Sequence, residues 1–171
     1  GGGNEGGTGD GNQGGTGDAP STPEQPVVPE QPDEVEKEFT SGITGDLTSN
    51  ETYKDLVNEE TGALDFGKLE VAEGEVIGSV KIEPEATTEN NIVISSSDKS
   101  KPVNIDMAGL DLEVSGTTKG ASKEAKGIEA TNGAAVSINN AGNITIKANS
   151  ENGSAFAIHA QGTDNDNKAS V

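Results

Sequence analysis

The chain has 171 residues, no cysteine, 24 glycines, 2% aromatic residues and a formal charge of −19, with lysine supplying all 11 basic side chains. The length suits one domain plus a tail. A field that negative repels nucleic-acid phosphate and anionic bilayer surfaces, so no nucleic acid is expected as a partner, and the lack of thiols excludes disulfides and cysteine-based metal or redox sites.

Residues 1–32 carry the near-repeat GGTGDGNQGGTGD and then APSTPEQPVVPEQP. The first part is glycine-rich, the second leans to extended polyproline II, and only Val27 and Val28 offer apolar surface against the ordering entropy. A disordered tether is expected. There is no initial Met and no basic-then-apolar leader, so any signal segment is expected to have been removed. Nor does any apolar run approach the roughly 20 residues of a spanning helix. Residues 33–75 change texture: acids dominate, with Phe39, Ile43, Tyr53, Leu56, Val57 and Phe66 as an apolar minority. Ser49 or Asn50 at a helix start predicts a short helix through Asn58. The aromatics concentrated here predict a small acidic N-terminal cap.

From residue 76 short alternating runs take over: VIGSVKI (76–82), NIVI (91–94), VNI (103–105), LDLEV (110–114), GIEA (127–130), VSI (136–138), ITIKA (144–148) and AIHA (157–160). An aliphatic at every second position is the period of a strand with one buried face. The polar stretches 115–126 and 149–156 read as long loops. The runs recur. Val103, Ile105, Ala108 and Gly109 return 33 residues later as Val136, Ile138, Ala141 and Gly142. Leu110, Leu112 and Val114 align 34 later with Ile144, Ile146 and Ala148, and Ile128 and Ala130 align 30 later with Ile158 and Ala160. A fixed period with three short strands per unit predicts an all-β fold, a right-handed parallel β-helix (β-solenoid) over residues 76–171, with like side chains stacked in ladders. The competing fold is an antiparallel sandwich, whose strands usually run about 5–6 residues. Two full coils and a partial one sit near the minimum of about three repeats. The chain is therefore expected to be marginally stable and to be a fragment that continues past Val171.

Candidate chemistry is sparse. His159, the one histidine, alternates with Ile158 and Ala160 and is expected to point outward to solvent. No G-x-S-x-G elbow accompanies it. Asp106 and Asp111 alternate with aliphatics and are expected on the solvated side rather than as a glycosidase pair. Asp164-Asn165-Asp166-Asn167 alternates oxygen ligands but lacks the glycine and distal glutamate of an EF-hand loop. GGTGD at 6–10 and 14–18 is one residue short of the calcium-roll repeat. Asn139–Asn143, NNAGN, suits the left-handed corners of a tight coil. No catalytic, metal-binding or cofactor-binding residue is assigned, and no cofactor is expected.

The phrase GIEATNGAAVSINNAGNITIKANSENGSAFAIHAQG resembles the passenger region of bacterial autotransporters, the type V secreted proteins of Gram-negative surfaces, and the likeness extends over residues 76–162. The front is similar to the spacer behind the lipidated cysteine of some surface lipoproteins, a cysteine this chain does not contain. The resemblance implies a right-handed β-helix, further coils and an outer-membrane β-barrel in the same full-length chain, and an extracellular, cell-surface location. The function it implies is that of a non-enzymatic adhesin or display stalk that meets a host-cell or bacterial surface receptor, protein or glycan, through its loops. The alternatives are a polysaccharide-degrading β-helix enzyme whose active coils lie beyond Val171, and an antiparallel β-sandwich binding domain of a surface lipoprotein.

Overall fold

The computed structural model describes residues 31–163 and 168–171, so all but the last two residues of the expected tether, both GGTGD runs and the Asp/Asn run at 164–167 lie outside the described residues. The described chain is all-β. Its ten strands are β1 (Asp33–Phe39), β2 (Leu64–Asp65), β3 (Glu75–Ile82), β4 (Asn91–Ser96), β5 (Val103–Asp106), β6 (Asp111–Ala121), β7 (Ala125–Thr131), β8 (Val136–Asn139), β9 (Ile144–Asn152) and β10 (Ala155–Gln161). Every one of the eight alternating runs is a strand. They form three sheets, ordered β1-β3-β6-β9, β4-β7-β10 and β2-β5-β8. All seven strand pairings are parallel. That overturns the antiparallel sandwich as a reading of this chain.

The chain visits the three sheets in turn: β3, β4, β5; then β6, β7, β8; then β9 and β10. Ser170 makes a parallel bridge to Ala135, adding to the third sheet. Residues 33–75 follow the same order, with β1 beside β3, Ile43 bridged to Ile94 of β4, and β2 beside β5. Their aromatics share the common core: Tyr53 and Phe66 are buried, and Phe39 packs its ring 5.2 Å from Tyr53 and 5.7 Å from Phe66. Tyr53 Oη donates to the Ser41 carbonyl at 2.6 Å, so the buried hydroxyl is satisfied. The helix expected from residue 49 or 50 to 58 is reduced to a three-residue 3-10 turn, Lys54–Leu56. Asn50 does receive the Thr52 and Tyr53 amides, but Val57 leaves in an extended conformation to bridge Leu64.

Like side chains stand in register across neighbouring strands. Val103 pairs with Val136, Ile105 with Ile138, Ile128 with Ile158 and Ala130 with Ala160, at the spacings read from the sequence. One alignment is corrected: Leu112 pairs with Ile144 and Val114 with Ile146, an offset of 32 where the sequence suggested 34. A slip of two leaves every side chain on its own face, so alternation cannot detect it. The turn decides it. Residues 107–111 separate Asp106 from Leu112, whereas only 140–143 separate Asn139 from Ile144.

The loops expected at 115–126 and 149–156 are mostly strand. Ser115 to Thr118 pair in register with Lys147 to Ser150, and Ala121 pairs with Asn152 beyond a register shift. Side-chain bonds replace the missing aliphatics: the Thr118 hydroxyl lies within hydrogen-bond distance of both the Thr87 and Glu89 carbonyls, its one proton serving either, and Asn91 Nδ2 donates to the Thr117 carbonyl. Glycine lets the first and second sheets approach here. A Cβ on Gly116 would sit 2.9 Å from the Lys126 carbonyl oxygen, and one on Gly127 would press into Ile146 and lie 2.7 Å from the Ala157 oxygen. The alternation also breaks in β4, where consecutive Val93 and Ile94 are both fully buried. In β7 the alternation breaks as well, Ala125 to Ile128 all being buried, and Lys126 and Glu129, three apart, meet on one outer face.

Candidate functional site

The densest constellation lies on that outer face of the second sheet. Register places Ile92, Lys126 and Phe156 side by side, and Ser95, Glu129 and His159 side by side. Lys126 Nζ donates to Glu129 Oε1 at 2.6 Å and lies 2.9 Å from Glu124 Oε2. The lysine side chain is only 8% exposed and that of Glu129 14%. Burial works against the ammonium charge, yet the hydrogen bonds and charges of Glu129 and Glu124 outweigh it and hold Lys126 above the usual lysine range. The same Glu129 oxygen lies 3.0 Å from His159 Nδ1. The Phe156 ring stacks obliquely on the imidazole, centroids 5.5 Å apart, with the Lys126 ammonium 5.9 Å from its centre.

His159 points outward, as its alternation with Ile158 and Ala160 implied, but it is half-buried against Glu129 and Phe156 rather than freely solvated. Its neighbour Ile158, expected inside, is 51% exposed because β10 is the edge of its sheet among the described residues. Lys126, Glu129 and Phe156 were not singled out from the sequence. The signal was present, since the 30-residue offset that aligns Ile128 with Ile158 also sets Lys126 against Phe156 and Glu129 against His159.

A shallow polar pocket of ≈ 340 Å³ continues this face, lined by Thr44, Asp46, Ser95, Ser97, Asp98 and Lys101 among others. Asp98 accepts from the Ser100 hydroxyl and amide, which lowers its pKa. Asp46 faces Lys101 at 3.9 Å.

Asp106 and Asp111 sit at the corner between the third and first sheets. Asp106 Oδ1 accepts the Ala108 amide at 2.9 Å, and Asn140 Nδ2 donates to both of its oxygens at 3.1 and 3.2 Å. Asp111 Oδ1 takes the Asn143 amide at 2.6 Å and the Asn143 carboxamide at 3.2 Å. These bonds, the backbone ones first, hold both carboxyls below their ordinary value. Asp106 is spent on its own turn and on the turn one circuit on, and Asp111 on the latter. Within NNAGN, Asn140 takes φ 52, the left-handed conformation expected of this corner.

A lysine held charged between two carboxylates is neither nucleophile nor base, and Glu129 already accepts from it. What the face offers is a fixed array of hydroxyls, carboxylates, one imidazole and a partly exposed aromatic ring. Among the described residues no group of three or more His, Asp or Glu is placed to hold a metal ion, and no helix is long and apolar enough to cross a membrane. Compared with known proteins, the chain matches no family model, no curated protein and no solved structure.

Proposed function

We propose that this chain is part of a right-handed parallel β-helix, and that it serves as a non-enzymatic adhesin module of the autotransporter passenger kind on a bacterial cell surface. The observation that carries the reading is the cyclic, parallel stacking with like residues one circuit apart, Val103 on Val136 and Ile128 on Ile158. Parallel strands joined by crossovers favour the right hand almost without exception. Each circuit would advance about 4.8 Å, so the strands form a rigid post. Ile144, at 46% exposure, and Ile158 leave the β9–β10 end uncovered, which suits further circuits of the same polypeptide. The receptor, a surface protein or glycan, meets the outer face of the second sheet, where Phe156, His159 and the Ser95 row stand exposed or half-exposed on a rigid scaffold. This face takes the place of the long loops, which are strands.

Beads coated with the purified chain test the adhesive role. Attachment to cultured host cells should saturate and be competed by soluble chain. Phe156→Ala together with His159→Ala should reduce it several-fold without changing the far-ultraviolet spectrum. Attachment no greater than that of an equally acidic control protein, or indifferent to both substitutions, would remove the proposal.

A further inference from the structure

The sequence contains two Asn-Gly pairs among the described residues, Asn132-Gly133 and Asn152-Gly153, and the fold treats them very differently. Asparagine before glycine is a chemically labile pair, because no side chain on the second residue shields its amide nitrogen. Asn132 is locked. It takes φ 54 and Gly133 takes φ 78, and the Ala134 amide closes the turn onto the Thr131 carbonyl at 3.0 Å. Its own amide donates to the Gln161 carbonyl at 3.2 Å, and its carboxamide donates to the Ser97 carbonyl at 3.4 Å. Neighbouring circuits therefore grip it from both sides.

Asn152 ends β9, an edge strand, in the turn leading to β10. Residues 151–154 are all exposed, and among the described residues the Asn152 carboxamide has no hydrogen-bond partner. Its backbone is held from one side, by the pairing with Ala121 of β6 and by the Ser122 amide, which donates to its carbonyl at 3.0 Å. Gly153 has no positive φ; it lies against the Lys123 backbone of the preceding circuit, and among the described residues the turn has a neighbouring circuit on that side only.

The structure assigns Asn152 as a site of spontaneous deamidation in the folded protein. The Gly153 backbone nitrogen attacks Asn152 Cγ, a new C–N bond closes a succinimide ring, and the carboxamide nitrogen leaves as ammonia with the transferred proton. Water then opens the ring at either carbonyl. One product is aspartate; the other is isoaspartate, in which the main chain passes through the former side chain and gains a methylene. Both add a negative charge to a chain already at −19. Isoaspartate also displaces the carbonyl that receives the Ser122 amide. The turn then loosens from 122–124, the equivalent turn one circuit back.

The test is peptide mapping by mass spectrometry, with isoaspartyl methyltransferase as a second readout. The purified chain is aged at mildly alkaline pH in three forms: native wild type, wild type in concentrated urea, and native Asn152→Gln. In the native wild type the Asn152 peptide should convert several-fold faster than the Asn132 peptide. In urea, where both sites have the same following residue and no fold, that ratio should fall towards unity. Asn152→Gln should remove most methyl acceptance from the native chain. Equal native rates, a faster Asn132, or an Asn152 that survives while the urea sample converts would each overturn the assignment.

Discussion

Two aspartates set the corner between the third and first sheets. Asp106 caps its own turn through the Ala108 amide, and Ala108 there adopts φ 52. A left-handed alanine is strained by roughly 1 kcal/mol or more, so the carboxylate acceptor helps hold a conformation the side chain resists. Asp111 accepts the Asn143 amide one circuit on, at a residue that is not left-handed. Hydrogen bonds from backbone amides first, then from asparagine carboxamides, hold both carboxyls below the ordinary aspartate value when folded. A depressed native value means stability that is present above the unfolded value and lost as pH falls through the native one. Thermal melts from neutral pH downward should therefore fall in Tm below about pH 4. The double variant Asp106→Asn, Asp111→Asn should show a shallower acid limb than wild type. Parallel acid limbs in the two proteins would mean that the aspartates contribute nothing to this dependence.

At the scale of strands, the contact of first and second sheets depends on residues that have no side chain. Gly127 faces Ile146 across the interior, and the Ala157 carbonyl closes the space on the other side. Gly127→Ala should cost about 1–3 kcal/mol, the usual penalty for overpacking, read as a lowered midpoint in urea with the slope unchanged. A neutral result would show that β7 and β10 can part without loss. Such positions explain what was legible beforehand. All eight alternating runs announced themselves because Val, Ile and Leu recur at period two. Ser115, Thr117 and Thr118 continue β6 with hydroxyls where aliphatics would be, so the period vanishes although the strand does not. The circuit in residues 33–75 was illegible for another reason: it touches the second sheet through one bridge at Ile43 and the third through the two residues of β2. The charged face needed only the offset already in hand. The outward direction of His159 was legible from alternation, but its partner was not, because a histidine read along its own strand shows none while Glu129 lies 30 residues away.

Over the whole molecule the two ends of the stack differ. Ile43, Leu47, Tyr53 and Val57 are buried around the first circuit, whereas Ile144, Phe156 and Ile158 are 38–51% exposed on the last. Aliphatics in one ladder should then carry unequal weight. Ile128→Ala, at a fully buried position, should cost about 2–5 kcal/mol, and Ile158→Ala, its in-register neighbour, less than about 1 kcal/mol. Urea midpoints for the pair decide it, and similar losses would mean that something covers β10 in solution. The first circuit also holds the chain's single tyrosine, Tyr53, in a protein without tryptophan. Absorption and emission at tyrosine wavelengths thus come from one end of the stack. The β9–β10 end carries only Phe156, dark at those wavelengths, so any unravelling there would appear in circular dichroism while the tyrosine signal stayed native, and the gap between the two curves would time the order in which the rungs let go.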